Sequence, residues 1–549
     1  MTDIIAGQAP PSLSVPSEKE KKYDRQLRLW AASGQAALES ANVLLVNSGS
    51  GTVGVETLKN LVLPGIGKFT IADDATVTEA DLGVNFFLDE TSLGQSRAQS
   101  CTELLVELNP EVQGDWYPRN SEAFNIQNVL GRDDPFTIIL YALPIAPEHL
   151  EALEAYSRKH KTPLVAIHSA GFYSYFSIRL PGVYPIVDTH PDVTATTDLR
   201  LLAPWEELEA FAEDMTKDID SLDNHEHGHL PFVVILLHFL NVWKASHGGA
   251  PPSNYKEKVE FRKMVADATR TNTPEGGEEN FEEAVAAVIK TIVPPSLPSA
   301  VREVFEYRHN KEVSAQRMNR EGFRLTWTQT EAASSFWLIA AALRTFYEKH
   351  QCLPVPGGIP DMKAQSSTYI KLQNIYKAKA RKDAAEVLDS VRQMPGGESI
   401  EPAEVDLFCK NAAFIKLVVP ASGGVDQLRS LAQQELVNDE TMAKEGLAPF
   451  SLLPIYLALR ATSHKSTASP DEILASIGHL VPDASDNERV VQAAQEVSRA
   501  GGGELHNISA VAGGMVAQET IKIITNQYVP IENTCIFDGI GSRTQVFRL

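Results

Sequence analysis

The stretch VLLVNSGSGTVGVETLKNLVLPGIGKFTIADD, from Val43 to Asp74, decides the fold of this chain. NVLLVN (Asn42 to Asn47) is an apolar run and reads as a buried parallel strand. VGVETLKNLVLPGI (Val53 to Ile66) reads as a helix ended by Pro64 and Gly65, and KFTIAD (Lys68 to Asp73) as a second buried strand. Together they form a β-α-β unit. Between the first strand and the helix lies G-x-G-x-x-G at Gly49, Gly51 and Gly54. Such glycines let backbone N–H groups and a helix N-terminus approach a phosphate. Asp73 and Asp74 stand about twenty residues on, where an acid can hold a ribose hydroxyl. Spacing alone leaves three readings open: a nicotinamide site, a site for another nucleotide, or a tight turn with no ligand.

Working outward, FTIILYAL (Phe136 to Leu143) and PLVAIHS (Pro163 to Ser169) read as further strands, with a helix from about Pro147 to His160 between them. YSYFSIRLP (Tyr173 to Pro181) alternates like a strand. Strands alternating with helices predict an α/β fold with a doubly wound, mostly parallel, Rossmann-like sheet up to about residue 185. From about 190 to 500 helical patterns dominate, separated by joints such as VPPSLPSA (from Val293) and LPVPGGIPD (from Leu353). SRAGGGELHN (Ser498 to Asn507) closes this region. ISAVAGGMVAQETIKIITNQ (from Ile508) then reads as a helix rich in small residues, and ENTCIFDGIGSRTQVFRL (from Glu532) as a terminal hairpin. The pattern predicts an α/β domain interrupted by a helical insertion, with the last segment returning to the first domain.

The totals narrow the function. A chain of 549 residues is too long for one core. Its 71 acidic against 49 basic residues give a net charge of −22, which argues against a nucleic-acid footprint. Cys101, Cys352, Cys409 and Cys535 are isolated, so neither a disulfide framework nor a structural zinc site is expected, and a reducing compartment fits, cytoplasm or nucleus. The N-terminus lacks the apolar core of a secretory signal and reads as a flexible tail over residues 1–20. The longest apolar run, FVVILLHFLNVW (Phe232 to Trp243), is too short to span a bilayer, so no membrane partner is expected.

YDRQLRLWAASGQAALESANVLLV (from Tyr23), ETLKNLVLPGIGKFTIADD (from Glu56) and GGMVAQETIKIIT (from Gly513) resemble the ubiquitin-like-modifier activating enzymes, whose sheet is the ThiF/MoeB-like adenylation fold. YIKLQNIYKAKARKDAAEV (from Tyr369), following IPDM, is similar to one branch, the regulatory subunits of the neddylation-activating enzymes. The resemblance covers nearly the whole chain. It implies an adenylation domain over 21–185, a helical insertion over 186–500 resembling a catalytic-cysteine domain without its cysteine, and a return segment over 501–549.

Active halves of that family bind ATP and Mg²⁺ and let the modifier's C-terminal carboxylate attack the α-phosphate. Matched to their motifs, this chain departs at several charged positions. The first acid of D-x-D falls on Ala72, leaving Asp74; the second asparagine and the arginine of N-L-N-R-Q-F fall on Gly83 and Val84 in DLGVNFF; the lysine falls on Arg97; and the metal-binding aspartate falls on Pro144, which cannot ligate Mg²⁺. The resemblance therefore implies a degenerate loop at Gly49, Gly51, Gly54 and Asp74, no catalytic residue and no metal or cofactor on this chain. ATP and Mg²⁺ are expected on a catalytic partner subunit, and the modifier and a conjugating enzyme as further partners. The family also places an N-terminal arginine of one half at the ATP of the other, and Arg25 matches it; the plain alternative is a surface arginine paired with Asp24 or Glu39. Cys101 and Cys535 read as core, and Cys352 and Cys409 lack the thioester context. His225, His227 and His229 in NHEHGH suggest either a weak zinc site or, more simply, a solvated loop. PEGGEENFEEA (from Pro274) reads as a solvated turn and helix start. Three other functions stay in play: a regulatory subunit for another modifier, as in sumoylation, an NAD-dependent oxidoreductase, and a scaffold that keeps the fold without any enzymatic association.

Overall fold

The computed structural model describes residues 16–119, 122–192, 197–271, 277–307, 335–420, 424–447, 450–465 and 467–549. The chain folds into two units, one of residues 1–184 with 418–549 and one of residues 185–417.

The first unit is built on a sheet. Its strands in chain order are β1 (Asn42–Val46), β2 (Lys68–Ala72), β3 (Gln113–Tyr117), β4 (Ile138–Ala142), β5 (Leu164–Ala170) and β6 (Tyr173–Arg179). After the short pair β7 (Tyr184–Val187) and β8 (Ile415–Val418) come β9 (Thr534–Asp538) and β10 (Arg543–Phe547). Among the described residues the sheet runs β10-β9-β6-β5-β4-β1-β2-β3. The five strands from β5 to β3 are parallel, with Val43 beside Phe69 and Ile138. β6, β9 and β10 extend the sheet antiparallel, so the doubly wound, mostly parallel sheet and the terminal hairpin are both present.

Each strand feeds two cores because alternate side chains point to opposite faces. Val43 and Leu45 pack with Phe69, Ile71, Ile138 and Leu140 beneath the helices Asp24–Ser40, Thr52–Val62, Arg97–Leu108 and His506–Thr525. Leu44 and Val46 face the other way, with Ile139, Tyr141 and Leu164. The helix Pro147–His160 covers part of that face. The rest is covered by Leu428, Leu457, Ile473 and Val490, from the helices Val425–Lys444, Leu453–Ala461, Pro470–Leu480 and Glu488–Ala500.

That second layer corrects two expected boundaries. The return to the sheet begins at Val418 rather than at 501, and the insertion is 185–417 rather than 186–500. The reason is burial: the helices between 425 and 500 hide their apolar stripes against the sheet, which periodicity along the chain cannot reveal. The expected tail over 1–20 does not hold at its end: Ser17 caps the helix Glu18–Lys22 through a capping box with Glu20. Residues 1–15 lie outside the described residues.

The second unit is helical. Phe232–Ser246, Tyr255–Asp267, Glu279–Thr291 and one end of the long Ser366–Arg392 enclose one core around Val233, Phe261, Phe281 and Tyr376. Ser299–Glu306, Ser335–His350 and Pro402–Lys410 enclose another around Val304, Ile339 and Val405, with Val387 of the same long helix. Among the described residues no helix is long and apolar enough to cross a membrane.

Candidate functional site: a glycine loop with its charges turned inward

Backbone geometry explains the three glycines first. Gly49 and Gly51 have φ of +59° and +65°, the left-handed region that costs other residues energy. Gly51 caps the helix Thr52–Val62. A Cβ on Gly51 would stand 2.2 Å from Asn47 Nδ2, and one on Gly54 2.8 Å from Asn47 Oδ1. The turn thus wraps around the Asn47 side chain, and packing alone demands a residue without a side chain at Gly51 and Gly54.

Asn47 leads to the charged centre. Its Nδ2 donates to Asp73 Oδ2 at 2.9 Å. Asp73 is buried at the end of β2 and receives Arg97 bidentately, Nε to Oδ2 at 2.7 Å and Nη2 to Oδ1 at 3.1 Å. The other guanidinium nitrogen, Nη1, reaches Asp81 Oδ1 at 3.0 Å and the loop carbonyls of Gly49 at 2.8 Å and Ser50 at 3.2 Å. Burial pulls the Arg97 guanidinium down, but the charges of Asp73 and Asp81 outweigh it and hold the group above its ordinary range. Burial likewise raises the Asp81 carboxyl, while Thr78 and Arg97 hold it below its usual value overall. Arg97 is therefore held inside the protein, a buried cation between two carboxylates with a bond from each guanidinium nitrogen.

The other matched positions fit this picture. Ala72 is buried at the end of β2, and Asp74 is exposed. Gly83 is exposed, and Val84 half-buried. The Pro144 ring overhangs the loop, its Cδ 3.3 Å from where a Gly49 Cβ would stand. At the first turn of Thr52–Val62, a buried carboxylate from the return segment, Glu504, accepts the Val53 N–H at 2.8 Å. The residues present do not fit a magnesium nucleotide. The loop carbonyls are tied to Arg97, a carboxylate lies on the helix N-terminus, and a proline stands where the resemblance expects a metal ligand. Glu504, Asp81 and Asn47 were missed from sequence. Only the run Gly501–Gly503 ahead of Glu504 offered a signal, as glycines that allow close approach.

Arg25 differs. It is exposed in the first turn of Asp24–Ser40. Asp24 pairs with Arg28 at 3.0 Å, and Glu39 receives Lys19 at 2.7 Å, so the two expected acids are taken. Arg25 has no ion pair or hydrogen bond among the described residues.

Cys101, Cys409 and Cys535 are buried and Cys352 half-buried. Burial pushes the Cys101 thiol up to about 12 and the Cys535 thiol up to about 11, and raises Cys352 and Cys409 as well. No group of metal-ligating side chains assembles among the described residues. Two of the three histidines do not lie in a solvated loop. His225 and His227 lie in a short helix, Asn224–His227, and His227 is buried with Nδ1 2.6 Å from Glu278 Oε1. Glu278 is therefore buried too, not part of a solvated turn, because it also accepts the Arg270 N–H at 2.7 Å. Residues 274–276 of that acidic segment lie outside the described residues.

Comparison with known proteins gives the chain's family. The ThiF family model matches residues 23–549. The NEDD8-activating enzyme E1 regulatory subunit of Gallus gallus is 36% identical over 569 residues, covering 97% of this chain and 99% of the relative. That of Danio rerio is 34% identical over 564 residues with the same coverage. The Arabidopsis thaliana subunit AXR1 is 32% identical over 555 residues, covering 97% of each. Among solved structures, PaaA matches 32% of this chain and 56% of its own at 14% identity and a TM-score of 0.27. The chain belongs to the ThiF family, and within it to the regulatory subunits of the NEDD8-activating enzymes.

Proposed function

We propose that this chain is the half of a heterodimeric activating enzyme that performs no chemistry itself. Its catalytic partner binds ATP and Mg²⁺, adenylates the C-terminal carboxylate of a ubiquitin-like modifier and carries the modifier as a thioester for a conjugating enzyme. This chain supplies the framework and, through Arg25, a cation to the partner's ATP. Arginine suits that task because its charge is permanent and its fork matches phosphate oxygens.

The observation that carries the reading is the engagement of Arg97. Adenylation is positioning plus neutralisation of developing charge by cations that face the phosphates. Here the cation at that position spends its donors on Asp73, Asp81 and two loop carbonyls, while Arg25 on the N-terminal helix has none of its donors engaged by described residues.

The test is modifier-dependent exchange of pyrophosphate into ATP, run with this chain alone, the catalytic subunit alone and both together. Exchange only when the catalytic subunit is present, and strongest with both, is the expected result. Exchange by this chain alone would overturn the reading.

A further inference from the structure

The helix Thr52–Val62 has eleven residues, and its first amides have no partner within the helix. The positive end of such a helix, entered through a glycine turn, is a ready anion site. In this chain the anion is supplied from within. Glu504 Oε2 accepts the Val53 N–H at 2.8 Å and the Ser509 hydroxyl at 2.6 Å. A Gly51 backbone hydrogen bond also favours its charged form. Two polar atoms of the turn are buried without a hydrogen-bond partner among the described residues, Thr52 Oγ1 in the first turn of the helix and Asn47 Oδ1 under the loop. Unpaired buried oxygens are rare and costly, and of these two the Thr52 hydroxyl, in the same first turn whose Val53 N–H Glu504 caps, can donate to an anion.

We infer that Glu504 is a built-in substitute for a phosphate, and that its carboxylate is what makes this half refuse an anionic ligand. The inference rests on the reading of the loop as non-adenylating and goes beyond it by naming the residue that closes the site.

The chain is shaped to hold that carboxylate in place. Gly501 and Gly502 have φ of +57° and +77°, and Gly501 ends the helix Glu488–Ala500. The Gly503 N–H bonds back to Ala500 O at 2.9 Å, and the Gly171 N–H donates to Gly503 O at 2.8 Å. Ser50 Oγ reaches Gly502 O at 3.3 Å. The segment is thus pinned on one side to β5's end and on the other to the loop it fills. Burial alone drives the Glu504 carboxyl up to about 7, against the pull of Ser509, Val53 and Arg97 towards the charged form.

The test uses the full-length chain and inorganic phosphate as the probe. Glu504→Ala removes the carboxylate and leaves the amide donors. Calorimetric titration should give phosphate binding at least roughly tenfold tighter than to the unaltered chain, and phosphate should raise the unfolding temperature of the variant only. Glu504→Gln removes the charge but keeps the length, and should show a gain of the same sign, smaller than that of the alanine variant. If the alanine variant cannot be purified folded, Glu504→Asn, shorter and able to cap the helix, should show a smaller gain of the same sign. Equal phosphate affinity for the unaltered chain and the shortened variant overturns the inference. The proposed function fails separately, by exchange activity of this chain alone.

Discussion

Arg97 and Arg25 share a side chain and little else. Arg97 opens the helix Arg97–Leu108, almost wholly buried, with two carboxylates and two loop carbonyls on its guanidinium. Arg25 stands exposed in the first turn of Asp24–Ser40, and its neighbouring acids are engaged by Arg28 and Lys19. The difference teaches how one residue type serves two ends in the same fold. The cation in the loop is part of the core, while the cation on the N-terminal helix is exposed, which is what the proposed contact with the partner's ATP needs.

The sharpest way to break the comparison is Asp73→Ala. A buried ion pair is poor evidence for net stability, but removing one partner leaves the other charge stranded. Arg97 would keep one carboxylate, Asp81, in place of two, and Asn47 Nδ2 would lose its acceptor. The expected loss is about 3–5 kcal/mol, read from the urea midpoint of unfolding. A loss below about 1 kcal/mol would mean that the loop does not depend on this centre. Gly51→Ala should come next, at about 2 kcal/mol. It combines a left-handed φ of +65° with a Cβ 2.2 Å from an asparagine that cannot step aside while it holds Asp73.

Arg25→Ala should do the reverse. With no described partner to lose, it should change stability by less than about 0.5 kcal/mol. It should slow modifier-dependent pyrophosphate exchange by the heterodimer about tenfold, with assembly intact. Arg25→Lys should recover part of the rate, because the charge survives and the fork does not. An unchanged rate in the alanine variant would remove Arg25 from the partner's site and leave it a surface residue.

The sheet was legible where side chains were apolar on both faces. β1, β2 and β4 lie within the expected strands because each is buried under helices on both sides, and such strands read as unbroken apolar runs. β3 was not seen. It is Gln-Gly-Asp-Trp-Tyr at the sheet edge, largely half-exposed, with neither alternation nor an apolar run. The site was legible as a set of departures at Ala72, Gly83, Val84, Arg97 and Pro144. What could not be read was where Arg97 would turn. Its partners Asp73 and Asp81 lie 24 and 16 residues away in sequence, and Glu504 lies 451 residues from the amide it caps. Pairings at such separations are set by how the sheet and the return segment close, not by local pattern.

The smallest expected effect concerns the other half of the chemistry. A thioester-forming cysteine must reach the thiolate, and burial opposes this by disfavouring the charged form. Cys101 sits in the core beneath the sheet, and its thiol is driven up to about 12 by burial, which the Asn85 amide 3.5 Å away only partly offsets. Cys535 lies in β9 and is raised to about 11, and Cys409 is buried among the helices of the second unit. Cys352 alone is half-exposed, and the nearby Arg200 charge works against the burial that raises it. Labelling of the native chain with a thiol reagent at mildly alkaline pH should therefore mark Cys352 slowly and the other three only on unfolding. Cys352→Ser should leave modifier loading on the partner unchanged. Fast labelling of any of the three buried thiols, or loss of loading in the serine variant, would give this chain a nucleophile of its own and end the contrast between a silent half and a working one.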